Sequence, residues 1–479
     1  MTKYDMIIIG SGAGLMVMSE AVSRGLSCAV IENSKLGGTC LNRGCIPSKM
    51  LVYPADLIRE IESCQRVGII AGQPKLDWTT VARRMWEQID YNKTIEKDLL
   101  AIPNLTLYKG TGRFLSPGSL EVLYDDGRPA DIIYGDKFII GAGARSQIPS
   151  FPGLDEAGYI TSETFFGEKF PAKPWDSLVI IGGGAISMEF AHIFSAFGTK
   201  VTLIIRSGRI LNKEEEEVAQ LVARQMTKNG VEILTNTDII SVNKQGDVKE
   251  ITAENRLTKE RRTVISQEIL LASGVQSNAD TMALEKAGVE ADKKGWVITN
   301  EYLETSQKNI WALGDINGKY QFRHKANAEA KILSHNLFNP EDKIKANYNS
   351  VPWTIFTHPQ VAHLGMTEKE LQDQGIPYKT AKNYYSEVVG GAAMGFEEGD
   401  DDDGFVKMII GENKKILGVH IVGPQAAVLL QPFVYLMNTG NGCDSYCPQT
   451  GTYAPIDDSM IIHPSLNELT AWVFKKLRV

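Results

Sequence analysis

The sequence predicts an α/β protein with two dinucleotide-binding βαβ domains and a C-terminal α+β domain. A strand, glycine-turn, helix, strand pattern occurs twice, and each copy opens on a continuous apolar run. The final section mixes strand-like and helix-like stretches without such a turn. Unbroken apolar runs are the mark of parallel strands covered on both faces, whereas mixed patterns suit a separate α+β unit.

The first copy is MIIIGSGAGLMVMSEAVSRGLSCAVIE, residues 6 to 32. Its apolar residues after the turn recur three and four apart, as a helix requires. Gly10, Gly12 and Gly14 fill the turn, where missing side chains let the backbone approach a pyrophosphate at a helix N-terminus. Glu32 ends the second strand, placed to hold a ribose. A turn of this kind can also be merely tight. The strand, helix and terminal acid around it favour a dinucleotide. Leu15 departs from the small residue usual at the third glycine position.

GGTCLNRGCIPSK follows at residues 37 to 49 and brings Cys40 and Cys45 close together. A helical region from Pro54 to Leu100 and short strands ending in DKFIIGAGAR lead on to LVIIGGGAISMEFAHIFSAFGTKVTLII, residues 178 to 205, the second copy. Its turn holds Gly182 and Gly184, with Ser187 at the third position. Where an acid would bind an NAD ribose stands Ile205, followed by Arg206 and, three on, Arg209. A guanidinium can pair with a 2′-phosphate, so this end leans towards NADP, the plain alternative being a surface arginine after a strand. Short strands then run through EILLASG to NIWALGD, ANAEAKILSHNLF reads as a helix, and the α+β section starts near Asn347. The expected boundaries are 1–148 and 276–346 for the first dinucleotide domain, 149–275 for the second and 347–479 for the last. The acidic run Glu397 to Asp403 reads as a solvated hairpin loop.

A formal charge of −8 with no basic cluster argues against nucleic acid as a partner. No apolar run reaches the roughly 18 residues of a membrane span, and a strand reading from Tyr4 onward leaves no room for a leader peptide, so the cytoplasm is the default location. In that reducing compartment a cysteine pair points to metal or redox chemistry rather than a lasting disulfide. Metal is the weaker reading, and none is expected, because no second cysteine pair or histidine pair lies nearby to complete four ligands.

Two dinucleotide folds beside a cysteine pair imply a cofactor that exchanges electrons with a disulfide. Here the chain resembles the FAD-containing pyridine nucleotide-disulfide oxidoreductases, which include dihydrolipoamide dehydrogenase, glutathione reductase, mycothione reductase and mercuric reductase. The likeness spans essentially the whole length. It rests on GGTCLNRGCIPSK, the two glycine turns, ALGD at 312 to 315 and HPSLNE at 463 to 468.

The resemblance implies two Rossmann-like domains, for FAD and for NAD or NADP, and a C-terminal dimerisation domain. By the same resemblance Cys45 is the thiol that faces the flavin and forms the charge-transfer complex, and Cys40 exchanges with substrate. Lys49 lies beside the flavin with Glu189 as its partner, and Asp315 binds the FAD ribitol chain. Gly38, Thr39 and Gly112 are further expected cofactor contacts. His463 is the general base and Glu468 its orienting acid, a role for which histidine's ordinary pKa is suited.

The expected activity is two-electron transfer between a nicotinamide nucleotide and a disulfide/dithiol in a homodimer. Dihydrolipoamide on a lipoyl carrier protein is the first reading of the substrate. The alternatives are an NADPH-dependent reductase of a low-molecular-weight disulfide such as mycothione, and a flavoprotein retained to dock other components of a complex. Ile461 where a second histidine is often found and Val275 where arginine is common depart from the commonest dihydrolipoamide dehydrogenase pattern, and Leu15, Arg206, EFAHIFSAFG and the stretch after Asp315 look more like mycothione reductase. Cys443 and Cys447 read as unpaired loop thiols near the substrate entrance.

Overall fold

The computed structural model describes residues 2–438 and 451–478. Cys443 and Cys447 lie outside them.

Strand β1 (Thr2–Ile9) runs parallel to β2 (Cys28–Glu32), and α1 (Gly14–Ser23) connects the two. Helices α2 (Gly38–Arg43) and α3 (Cys45–Ser63) follow, and the sheet is extended by β3 (Leu105–Lys109), β4 (Thr111–Ser116), β5 (Ser119–Leu123) and β6 (Asp131–Ile140). Strand order is β3-β2-β1-β6-β5-β4, with the short strand Ile310–Ala312 paired to β6. β1 is therefore central. Its Ile7 and Ile9 pack with Phe114 and Phe138 on one face, while Met6 and Ile8 pack with Val17, Ala330 and Leu333 on the other. That two-sided burial is why the run MIII has no polar alternation. Truncating such a side chain to alanine costs about 2–5 kcal/mol.

The second unit is a parallel sheet ordered Glu232–Leu234, Lys200–Ile204, Ser177–Ile181, Glu268–Leu271. Helix Ala185–Ala196 follows its glycine turn, and a three-stranded antiparallel meander (Thr237–Gln245, Val248–Asn255, Arg261–Ser266) stands beside it. A two-stranded ribbon, Ala144–Ser146 against Val275–Ser277, carries the chain out of the first unit and back. The C-terminal section is a five-stranded antiparallel sheet ordered Trp353–Ile355, Val361–Gly365, Ile416–Val422, Phe405–Ile410, Lys379–Tyr384. The α/β class with a C-terminal α+β domain is as expected.

Buried charges tie this last sheet to the second unit. Lys407 is hydrogen-bonded to Glu215, Glu217 and Glu368, and His363 Nδ1 lies 2.8 Å from Glu214 Oε2. Removing one member of such a buried set costs about 3–5 kcal/mol, because the remaining charge is stranded.

The acidic run differs from its sequence reading. It does fall between antiparallel neighbours, and Glu397 to Asp401 are exposed, but a short helix, Val389–Ala393, precedes it. Asp402 pairs with Arg66 and Lys228, and buried Asp403 accepts hydrogen bonds from Ser386 N and Oγ. The last two carboxylates are therefore structural. Like charges repel along a chain, yet each can still be held by a partner brought from elsewhere in the fold.

Candidate active site

The first glycine turn is built by close backbone approach. Gly10 has φ +97°, and a Cβ there would lie 2.4 Å from Gly141 O. A Cβ on Gly14 would strike Ile8 Cγ2, whereas Gly12 faces nearly open space. Gly38 folds over the turn, where its Cβ would fall 2.8 Å from Gly12 Cα. Thr39 follows it on α2, beside Cys40. Gly112 lies under Ile31, at the edge of the same cleft floor. Glu32 is buried at the end of β2 and accepts from Ser11 N, Ser11 Oγ and Ser34 N. Asp315 opens a short turn, and among the described residues no hydrogen bond reaches its carboxylate; burial raises its pKa to about 6. A buried acid without a donor, next to a glycine turn open on one side, suits a hydroxyl-rich dinucleotide. The residues present fit FAD.

The cysteines sit on successive helices. Cys40 lies within α2, and Cys45 is the first residue of α3. A Cβ on the intervening Gly44 would be 3.1 Å from Thr39 O, so glycine lets the two helices meet. Both thiols are free. Interaction with the Cys45 thiol, with help from the Arg323 and Lys49 charges, brings the Cys40 thiol down to about 7, and the same interaction pushes Cys45 up. Without flavin, the negative charge of the reduced pair therefore rests on Cys40. In apoprotein, the alkylation rate of Cys40 by iodoacetamide is expected to rise with pH to a midpoint near 7, followed by mass spectrometry of the modified peptide.

One helical turn beyond Cys45, Lys49 Nζ bonds Glu189 Oε2 at 2.7 Å and lies 4.3 Å from the Phe356 ring centroid. Glu189 also accepts from Phe356 N. This pair joins α3 to the second unit's helix, and two further rungs lie along the same contact: Asp56 with His192 at 2.8 Å and Arg59 with Ser195 at 2.9 Å. The sequence reading missed those rungs. Their spacing, seven and ten residues after Lys49 and three and six after Glu189, would have placed them on matching helix faces.

In the second turn Gly182 has φ +132°, and its Cβ would lie 2.3 Å from Ala272 O; Gly184 is open to solvent. Ser187 is fully buried against Ala272 O at 3.5 Å, which makes it a packing residue between helix and strand rather than a group facing the nucleotide. Ile205 is buried too. Arg206 is exposed and lies 3.4 Å from Asp238, which Arg256 approaches at the same distance. Arg209 is spent elsewhere, on the carbonyls of Asn212 and Glu214. Arg256 comes from the meander, fifty residues along the chain, and no local pattern could have announced it.

His463 Nδ1 bonds Glu468 Oε1. The histidine is 64% exposed and the acid 0%, so a buried carboxylate orients an accessible ring. Glu468 is held on helix Asn467–Trp472, which packs on Lys379–Tyr384 and Phe405–Ile410. Among the described residues no hydrogen bond or ring contact joins His463 to Cys40 or Cys45.

Residues 4–330 match the family described as pyridine nucleotide-disulphide oxidoreductase, and residues 351–474 match that family's dimerisation domain. The chain belongs to the pyridine nucleotide-disulphide oxidoreductases, a family that binds FAD and a pyridine nucleotide. It is similar to mycothione reductase of Mycobacterium tuberculosis, 32% identical over 452 residues that cover 92% of this chain and 94% of that protein. A dihydrolipoyl dehydrogenase of Chlamydia pneumoniae is 31% identical over 432 residues, 89% of each chain. Among solved structures, the Cu(II) complex of the HOCl-induced flavoprotein disulfide reductase RclA from Escherichia coli matches with a TM-score of 0.84 at 25% identity over 99% of each chain. No helix among the described residues is long and apolar enough to cross a membrane.

Proposed function

We propose that this chain is an NADPH-linked, FAD-dependent reductase of a small disulfide, acting as a homodimer. One observation carries the reaction class: the Cys40 and Cys45 helices meet at the first glycine turn, and Lys49, one turn on, is locked to Glu189 of the second unit. That single point joins both dinucleotide units to the thiols. When bound, FAD carries two electrons from the nicotinamide to the cysteine pair.

The thiolate of Cys40 attacks one sulfur of the substrate disulfide, breaking the S–S bond and forming a mixed disulfide. His463, oriented by Glu468, supplies the proton for the departing thiolate. Cys45 then attacks Cys40 sulfur, which releases the second thiol and leaves a Cys40–Cys45 disulfide. Two electrons and two protons, delivered as NADPH and a solvent proton, restore the dithiol. Run backwards, the same residues oxidise a dithiol such as dihydrolipoamide, a second reading favoured by the likeness to dihydrolipoyl dehydrogenase. Docking without turnover has no observation in its favour.

The nucleotide preference rests on Arg206 and Arg256, two guanidiniums sharing one carboxylate at 3.4 Å beside a strand end that has no acid. A 2′-phosphate offers each a stronger partner. Arg206→Glu is expected to shift the kcat/KM ratio at least about 10-fold towards NADH, because a carboxylate bonds a ribose hydroxyl and repels a phosphate. Arg256→Ala should move the ratio the same way by less. The direct test is steady-state turnover of glutathione disulfide, a mycothiol-type disulfide and lipoamide, each with NADPH and NADH. Preference for NADH with lipoamide would replace this reading by the dehydrogenase one.

A further inference from the structure

Arg323 is the first residue of helix Arg323–Phe338, which the stretch Gly318 to Phe322 joins to the turn that holds Asp315. One of its guanidinium nitrogens, Nη1, is 3.9 Å from where a Cβ on Gly12 would stand, and among the described residues no other side-chain atom comes within 4 Å of that point. Its charge also reaches Asp315 and Cys40. Arg323 is half-buried, yet among the described residues it has neither an ion pair nor a hydrogen bond with another side chain or with the backbone.

Lys49 and Lys325, by contrast, are both matched. Lys49 bonds Glu189, and Lys325 bonds Gly314 O, Asn317 Oδ1 and Glu329 Oε2. Two carboxylates line the cleft: among the described residues Glu32 is bonded by Ser11 and Ser34, and no hydrogen bond reaches the Asp315 carboxylate. A dianion entering between two acids needs more opposing charge than the partial charge at the start of α1, roughly half an elementary charge. A guanidinium presents five donors in a fork suited to phosphate oxygens and cannot relieve its charge by losing a proton.

We propose that Arg323 anchors the cofactor by pairing its guanidinium with the FAD pyrophosphate across the Gly12 face. The proposal rests on the reading that this cleft binds FAD.

The test is reconstitution of full-length apoprotein, followed by flavin fluorescence, with FAD and with riboflavin, which lacks the pyrophosphate. Arg323→Leu should weaken FAD binding about 10- to 100-fold, the range of one or two charge-assisted hydrogen bonds, and leave riboflavin binding unchanged. Arg323→Lys should recover part of the loss. Added KCl should weaken FAD binding to the wild-type chain more steeply than to the leucine variant. Should the leucine variant not fold, Arg323→Gln, which is polar but uncharged, gives the same comparison. Equal FAD affinity in wild type and variant, or an equal loss with FAD and riboflavin, overturns the assignment. A wild-type chain that binds no FAD at all overturns instead the reading of the cleft on which it rests.

Discussion

Cys45→Ser is expected to abolish turnover of every disulfide substrate, to below about 10⁻³ of wild type, while FAD stays bound. The geometry divides the thiol chemistry between two helices: Cys40 carries the more readily ionised sulfur, and Cys45 opens α3 four residues before Lys49. Without Cys45 the first exchange still proceeds. The mixed disulfide on Cys40 then has no internal thiol to resolve it, and the enzyme stops with one half of the substrate attached. Intact-protein mass spectrometry should show an adduct equal to that half-substrate, removable by added dithiol. A second consequence is optical. Addition of dithiol to the wild-type holoenzyme should produce long-wavelength absorbance from the Cys45 thiolate against oxidised flavin, and the serine variant should show none. In apoprotein the charge lies on Cys40 instead, so the band also reports whether cofactor binding moves it. Ordinary turnover by Cys45→Ser would mean that the pair is not the conduit.

Much of this site is readable along the chain because its parts are local. The glycine turns, Glu32 and GGTCLNRGCIPSK each lie within one supersecondary unit, and hydrophobic period with turn chemistry is enough to place them. Residues brought together by tertiary folding are a different matter. Arg256 reaches Asp238 only because the meander doubles back, and Arg323 reaches Gly12 only because its helix begins beside the same sheet edge. Ser187 shows the converse: a small residue at the third turn position is needed for helix and strand to approach, and here it is buried against Ala272 O. The acidic run misled through composition, since charge density alone does not reveal that Ser386, Arg66 and Lys228 await its last two carboxylates.

His463→Ala is expected to cut turnover of the disulfide or dithiol by about 10² to 10⁴ while leaving flavin reduction by the nicotinamide nearly unchanged, because hydride transfer needs no such base. Stopped-flow absorbance separates the two half-reactions. The exposed imidazole and buried Glu468 form a complete acid–base pair, yet within the described residues they make no contact with Cys40 or Cys45. They lie in the section that matches a dimerisation domain. We expect the partner of His463 on a second copy of the chain. Co-expression of His463→Ala and Cys45→Ser chains, each with at most about 1% of wild-type turnover as a homodimer, provides the measurement. A mixed dimer with shared sites holds one site with both defects and one with neither, so activity should return in proportion to the mixed fraction, up to about half of the wild-type rate per dimer when all are mixed. If verified mixed dimers stay inactive, each chain carries its own complete site or another group serves as the base. Glu468→Gln then discriminates further: as the orienting acid it should lower kcat for the thiol half-reaction and change its pH profile, whereas a purely structural carboxylate would alter stability and leave that profile in place.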